Sequence, residues 1–232
     1  MTPGGSLICF TGIDGSGKTT QAKLLVDWLT SQGVKAIYTW SRGEVLAIRR
    51  IFLSVGRRAL GTSTRQIAID QSSYREYQSR KSTLMRKPFI RTLWSAMTYF
   101  EHLVQINTDI RRRMQEGCVV VCDRYQWDTL IDLAVWNHKD SAWLLNGFNR
   151  FMWQFIPKPS ITFLVDIPPE EAMRRKDDIP SLDYVQKRTD HYQYLAKRDA
   201  WRVIDGCREI AAIHGEIIST VEAFLEGQGK HD

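Results

Sequence analysis

The sequence predicts a three-layer α/β domain: a five-stranded parallel sheet with helices on both faces and a short lid. Three observations predict it. Short apolar runs alternate with longer amphipathic stretches along all 232 residues. Residues 118–122 (CVVVC) are apolar without alternation, as a strand buried on both faces must be. The first apolar run enters a glycine-rich turn that opens onto an amphipathic stretch, the strand–turn–helix order of a parallel sheet.

Each element follows from its pattern. Residues 6–12 (SLICFTG) form the first strand. Residues 19–32 carry Leu24, Leu25, Trp28 and Leu29 at helical spacing, and Gly33 suits the end of that helix. Residues 34–40 read as the second strand. Residues 91–116 form a long helix with Leu93, Met97, Phe100, Val104 and Ile110 on one side, stopped by Gly117. The third strand is 118–122. Residues 140–155 read as an aromatic-rich helix that Lys158-Pro159 ends. Residues 161–165 form the fourth strand, 168–176 and 182–198 two helices, and 201–204 the last strand. A final helix runs to about residue 225, and the tail GQGKHD is expected to fray. The chain reads as a single domain over 1–232.

Composition narrows the function. Hydrophobic residues make up 43% and charged residues 25%, ordinary for a globular chain. No window approaches 18 uncharged apolar residues, so no membrane span is expected. The N-terminal residues lack a basic start and a long apolar run, so no secretory signal is expected. The four cysteines are scattered without metal-ligand spacing, and they read as reduced thiols of a cytoplasmic protein. The net charge is +6, and it is concentrated. Between Arg57 and Arg91, nine Lys or Arg stand against Asp70 and Glu76. Such a block frames an anionic pocket or forms a solvated face. It lacks the regular aromatic interleaving of a single-strand binding platform, so nucleic acid is not the expected partner.

The strongest motif is Gly12-Ile13-Asp14-Gly15-Ser16-Gly17-Lys18-Thr19, which fits G-x-x-x-x-G-K-[ST] between a strand and a helix. Glycines there let backbone N–H groups turn inward on phosphates. The helix that follows adds the positive end of its dipole. Lys18 is expected to reach the β- and γ-phosphates, and Thr19 to ligate Mg²⁺. This is the P-loop NTPase arrangement, and the expected ATP-binding set is Gly12, Asp14, Gly15, Ser16, Gly17, Lys18, Thr19 and Thr20. A guanine switch protein would need N-K-x-D after a strand. The chain has Asn137-His138-Lys139-Asp140, with lysine misplaced and no strand before it.

The third strand ends in Asp123-Arg124-Tyr125, on the edge where parallel sheets hold ligands. A carboxylate there can hold a metal, and an arginine can clamp an acceptor phosphate. Residues 10–21 (FTGIDGSGKTTQ) together with Asp123-Arg124-Tyr125 resemble the thymidylate kinase family of P-loop nucleoside monophosphate kinases. The likeness continues through 164–175 (LVDIPPEEAMRR), 192–196 (YQYLA) and 203–205 (VID).

The resemblance implies ATP-dependent phosphoryl transfer to a nucleoside monophosphate with Mg²⁺, the partners being ATP and a small phosphorylated acceptor. It places Asp123 with Thr19 at the metal, Arg124 on the acceptor phosphate and Asp14 near the acceptor sugar. Arg42 follows the second strand, where similar proteins bind the acceptor. Arg174 and Arg175 belong to the lid, about residues 174–182, and join Lys18 and Arg124 as expected catalytic groups. The lid is shorter than the Arg/Gly-rich loop of the family. The acceptor-binding region is about 42–102. His102 falls about where the family carries a base-contacting arginine. Thr129 and Asp132 occupy the positions for a small polar residue and a tyrosine against the sugar. These departures point away from dTMP as the acceptor. A carboxylate at Asp132 can accept from a 2′-hydroxyl that a tyrosine would exclude.

Two alternatives stay open. A P-loop ATPase or regulatory module binding nucleic acid through residues 57–91 is the second reading. The aromatic group Trp136, Trp143, Phe148, Phe151, Trp153 and Phe155 packs in the core by default, with a homodimer face as the rival.

Overall fold

The computed structural model describes residues 5–41 and 88–228. Its chain divides into two compact units, one formed by Met1–Arg42 with Leu103–Asp232, the other by Gly43–His102. The second unit spans almost the residues expected to form an acceptor-binding region. Arg42 and the basic residues of 57–87 lie outside the described residues.

In chain order the elements are β1 (Leu7–Thr11), α1 (Lys18–Ser31), β2 (Ala36–Trp40) and α2 (Pro88–Gln105). A π turn (Ile106–Ile110) joins α2 to α3 (Arg111–Gln115), and β3 (Val119–Asp123) follows. Next come α4 (Gln126–Trp136), a 3₁₀ turn (Ser141–Leu145), α5 (Gly147–Met152) and a second 3₁₀ turn (Trp153–Phe155). The chain continues through β4 (Ile161–Asp166), α6 (Pro169–Arg175), α7 (Leu182–Arg198), β5 (Arg202–Asp205) and α8 (Ile210–Gln228).

The sheet has five strands in the order β2-β3-β1-β4-β5, and every pairing is parallel. β1 lies at its centre, with Cys9 opposite Cys122 on one side and Thr162 on the other. Both faces are covered. Ile8 and Phe10 pack with Leu25 and Leu29 of α1 and Ile217 and Val221 of α8. On the opposite face Leu7, Cys9, Val120 and Cys122 are also fully buried, and Thr11 donates to Asp128 of α4 at 3.0 Å. This double burial explains why β1 and β3 show no polar alternation.

Several expectations need correction. The long helix of 91–116 starts at Pro88, which tolerates a first-turn position because it needs no N–H there, and a π turn interrupts it. Residues 140–155 are not one helix. Asp140 accepts from Trp143 N, and Asn146 accepts from Asn149 N, so two side-chain caps start two short helical pieces. Within that stretch and the end of α4, Trp136, Phe148, Phe151 and Phe155 are exposed rather than core. The helix α4 has no counterpart in the periodicity, because most of it is buried and no polar face marks its period. The last helix runs to Gln228, a little beyond the expected end near residue 225, and the rest of the expected frayed tail lies outside the described residues.

Candidate active site

The turn between β1 and α1 is shaped by glycines at positive φ. Gly12 has φ 139°, and a Cβ there would meet Val165 O at 2.5 Å, so only glycine lets β1 pass β4 this closely. Gly17 caps α1 in the left-handed conformation, leaving the first helical N–H groups facing the turn. Lys18 is the first residue of α1 and is only 4% exposed. Its ammonium donates to Ile13 O at 2.8 Å, inside the turn. Burial, with Arg124 adding its repulsion, pulls the Lys18 ammonium down to about 7.

Two side chains meet beside it. Thr19 Oγ1 donates to Asp123 Oδ2 at 2.5 Å, and Tyr38 of β2 donates to the same oxygen at 3.1 Å. Asp123 Oδ1 is buried with no hydrogen-bond partner. A hydroxyl and a carboxylate with an orphaned oxygen make a hard, all-oxygen donor pair, which fits Mg²⁺ held in part through water.

Arg124 stands at the next position with φ 69°, a conformation that a non-glycine residue adopts only when its surroundings enforce it. Its N–H donates to Phe10 O at 2.9 Å, and its carbonyl accepts from Ser41 Oγ at 2.6 Å. Its guanidinium is ion-paired with Asp14 and faces Asp128 at 3.7 Å, while Nη1 makes no hydrogen bond. An arginine so fixed can receive an anion without reordering itself.

Asp14 is held from a second direction by Arg188 of α7 at 2.9 Å. Burial opposes ionisation of Asp14, but Arg124, Arg188 and Lys18 outweigh it and hold the carboxyl well below the usual range. The sign follows from that depression. Its stabilisation is fully present above about pH 4 and is lost as pH falls through the lowered folded value. Asp14→Asn is therefore expected to lower Tm by roughly 5 °C at neutral pH. The difference should narrow only in strongly acid solution, where the wild-type carboxyl also becomes neutral. Thermal melts of both proteins across pH check this, and a gap that is constant with pH contradicts it.

The two lid arginines separate. Arg175 donates to Glu171 at 2.6 Å and, through Nη1, to Gly15 O at 3.2 Å and Gly206 O at 3.1 Å. Arg174 pairs with Glu171 at 2.5 Å and is 77% exposed. A cavity of about 220 Å³ lies beside the turn, bounded by Thr20, Gln21, Arg175, Gly206 and Arg208. A larger groove of about 810 Å³ lies by the starts of β4 and β5 and contains none of the expected site residues.

Of the expected acceptor residues, Thr129 and Asp132 lie on α4, and Asp132 pairs with Arg188 at 3.2 Å. His102 is buried on α2, in the unit Gly43–His102. Residues 177 and 178 of the lid are exposed.

Sequence reasoning missed two site residues, Asp128 and Arg188. Asp128 is fully buried and accepts from Thr11, Tyr125 N and Tyr192 OH. Arg188 is 1% exposed. It stands on the stripe of Val185, Tyr192 and Leu195, all buried at helical spacing. A charge on an otherwise buried stripe was the available signal.

Residues 73–217 match the family model described as thymidylate kinase. The chain is 30% identical to a probable thymidylate kinase of Pyrococcus horikoshii, over 96% of this chain and 98% of that protein. It is 28% identical to a thymidylate kinase of Plasmodium falciparum, over 94% of this chain and 90% of that one. A thymidylate kinase of Thermoanaerobacter sp. is 27% identical over 95% and 99% of the two chains.

Proposed function

The chain belongs to the thymidylate kinase family, and from that premise we propose which of its residues carry the reaction. It is a nucleoside monophosphate kinase, moving the γ-phosphoryl group of ATP to a nucleoside monophosphate. Such transfers need charge compensation and alignment more than a strong base.

The observation that carries the assignment is the end of β3. Asp123 reaches Thr19 at the start of α1, while its neighbour Arg124 reaches Asp14 in the turn. Two adjacent residues thus join the donor half of the site to the acceptor half. The turn from Gly12 to Gly17, with Lys18 and Thr20, receives the triphosphate. Arg175 flanks that turn, and Arg174, exposed and paired with Glu171, would exchange that partner for the phosphates on closing. Thr19 and Asp123 would hold Mg²⁺, which would neutralise charge on the phosphates. Arg124 orients the acceptor phosphate, and Asp14, Thr129 and Asp132 face its sugar and base. The family resemblance alone supports Arg42 and His102 as acceptor residues, and 42–102 as an acceptor region of a single domain.

Thymidylate is the substrate in the relatives' names. Asp132, held by Arg188, stands where the family resemblance puts a tyrosine against the sugar. We therefore expect tolerance of, or preference for, a ribose. Steady-state assays with dTMP, dUMP, UMP, CMP, AMP and GMP test this. The reading predicts that dTMP does not lead the panel by more than about tenfold in kcat/KM. A wider lead for dTMP overturns the acceptor reading and leaves the kinase assignment intact.

Among the described residues no helix is long and apolar enough to cross a membrane, and all four cysteines are free, as suits a cytoplasmic protein. A second copy of the chain is the proposed partner for the exposed edge of Phe148, Phe151 and Phe155. Sedimentation at micromolar concentration should show a dimer, and a lone monomer contradicts it.

A further inference from the structure

Arg188 enters the reading above only as the partner of Asp132, yet among the described residues it is one of the most deeply buried side chains. Burying a guanidinium carries a large desolvation cost, and an apolar residue of similar size would often stabilise the fold more. Its partners are specific. Nη1 lies 2.9 Å from Asp14 and 3.5 Å from Tyr184 OH. Nη2 lies 3.2 Å from Asp132 and 3.3 Å from Tyr192 OH. The rings of Tyr184 and Tyr192 flank the guanidinium carbon at 5.6 and 5.9 Å.

The fork therefore spans two elements. One branch holds the phosphate-binding turn through Asp14, and the other holds α4 through Asp132. Tyr192 OH donates to Asp128 at 2.7 Å, and Asp128 accepts from Thr11 and from Tyr125 N. The ends of β1 and β3 are thus tied into the same network. Arg124 leans on its carboxylates, with Asp14 and Asp128 both beside it. The α6–α7 segment touches the turn at two places, Arg175 on Gly15 O and Arg188 on Asp14.

We propose that Arg188 is a positioning residue for acceptor binding: its fork locks Asp14 and Asp132 into one rigid face and thereby aims Arg124. This rests on the reading of Asp14 and Arg124 as acceptor residues. A planar fork can hold two carboxylates on separate elements at fixed spacing, and a lysine ammonium cannot do so with the same geometry. Because a shift of about 1 Å at a reacting centre can cost on the order of 100-fold, losing the fork should appear in acceptor use while ATP binding is spared.

Arg188→Met and Arg188→Lys test this, assayed with the leading monophosphate of the acceptor panel. Arg188→Met is expected to lower kcat/KM for the acceptor about 100-fold, and Arg188→Lys about tenfold, with the KM for ATP changed by less than about twofold. If Arg188→Met does not fold, Arg188→Lys, which keeps the buried charge, decides alone. A lowered Tm with acceptor kinetics within about twofold of wild type shows a purely structural arginine and overturns the proposal. So does an equal rise in both KM values. Arg124→Ala run in parallel separates the two levels. Unchanged acceptor kinetics there removes the acceptor reading itself, whereas a damaged Arg124→Ala beside a normal Arg188→Lys removes only the role of Arg188.

Discussion

Lys18→Ala is expected to reduce kcat/KM for ATP by about 10³-fold while leaving the fold intact. The side chain sits at the first position of α1, buried and already turned into the phosphate-binding turn, where it donates to Ile13 O. Nothing in the hydrophobic core depends on it, so Tm should move little. Its value lies in the transition state. As the bond to the leaving oxygen loosens, negative charge spreads onto the β–γ bridge, and a preorganised ammonium in a water-poor turn stabilises that charge without reorganisation. Removal of one such donor costs on the order of 10²–10³-fold, and the full charge of Lys18 places this variant at the upper end. Because burial lowers the pKa of Lys18 to about 7, the free protein carries it partly neutral at physiological pH. The triphosphate favours the ammonium, so wild-type ATP binding at pH 8 should take up a proton, and the variant should not. Calorimetry in buffers of different ionisation enthalpy reads that uptake.

Arg124→Ala is expected to lower kcat/KM for the acceptor by about 10²–10³-fold with a small effect on the KM for ATP. The backbone of Arg124 is held by Phe10 O and Ser41 Oγ and its side chain by Asp14, so the guanidinium is aimed before any ligand arrives. An arginine that must be ordered on binding would return less of its energy as affinity. Asp14 keeps Arg188 as a partner in the variant, so the carboxylate is not stranded and the fold should survive. Arg124→Lys should recover only a small part of the loss, because an ammonium cannot pair with Asp14 and a phosphate in the same fork geometry.

The parts of this site that could be read from the chain are those whose physics is local. The glycine turn, Lys18 and Thr19 stand within eight residues, and Asp123-Arg124 marks the end of one unbroken apolar run. The three central strands were legible because double burial leaves continuous apolar runs, whereas the edge strands β2 and β5 are only partly buried and were placed by their positions between helices. The helix over Gln126–Trp136 was not, since burial on most sides erases the helical period. The stretch 140–155 misled because its aromatics suggest a single helix, while the side chains of Asp140 and Asn146 restart the backbone. Arg188 shows the deeper limit. Its partner Asp14 is 174 positions away in the chain, and only the packing of α7 against α4 brings a charge in a polar helix onto Asp14, Asp132 and Tyr192 together.

In the proposed reaction one turn grips ATP while the end of β3 presents a second phosphorylated molecule to it. Phosphorus-31 NMR of the purified protein with Mg·ATP and a nucleoside monophosphate tests it most directly. ADP and a nucleoside diphosphate should appear in equal amounts and only when the monophosphate is present. Release of inorganic phosphate at the same rate with and without the acceptor, or turnover that rises on adding DNA or RNA instead, would contradict it.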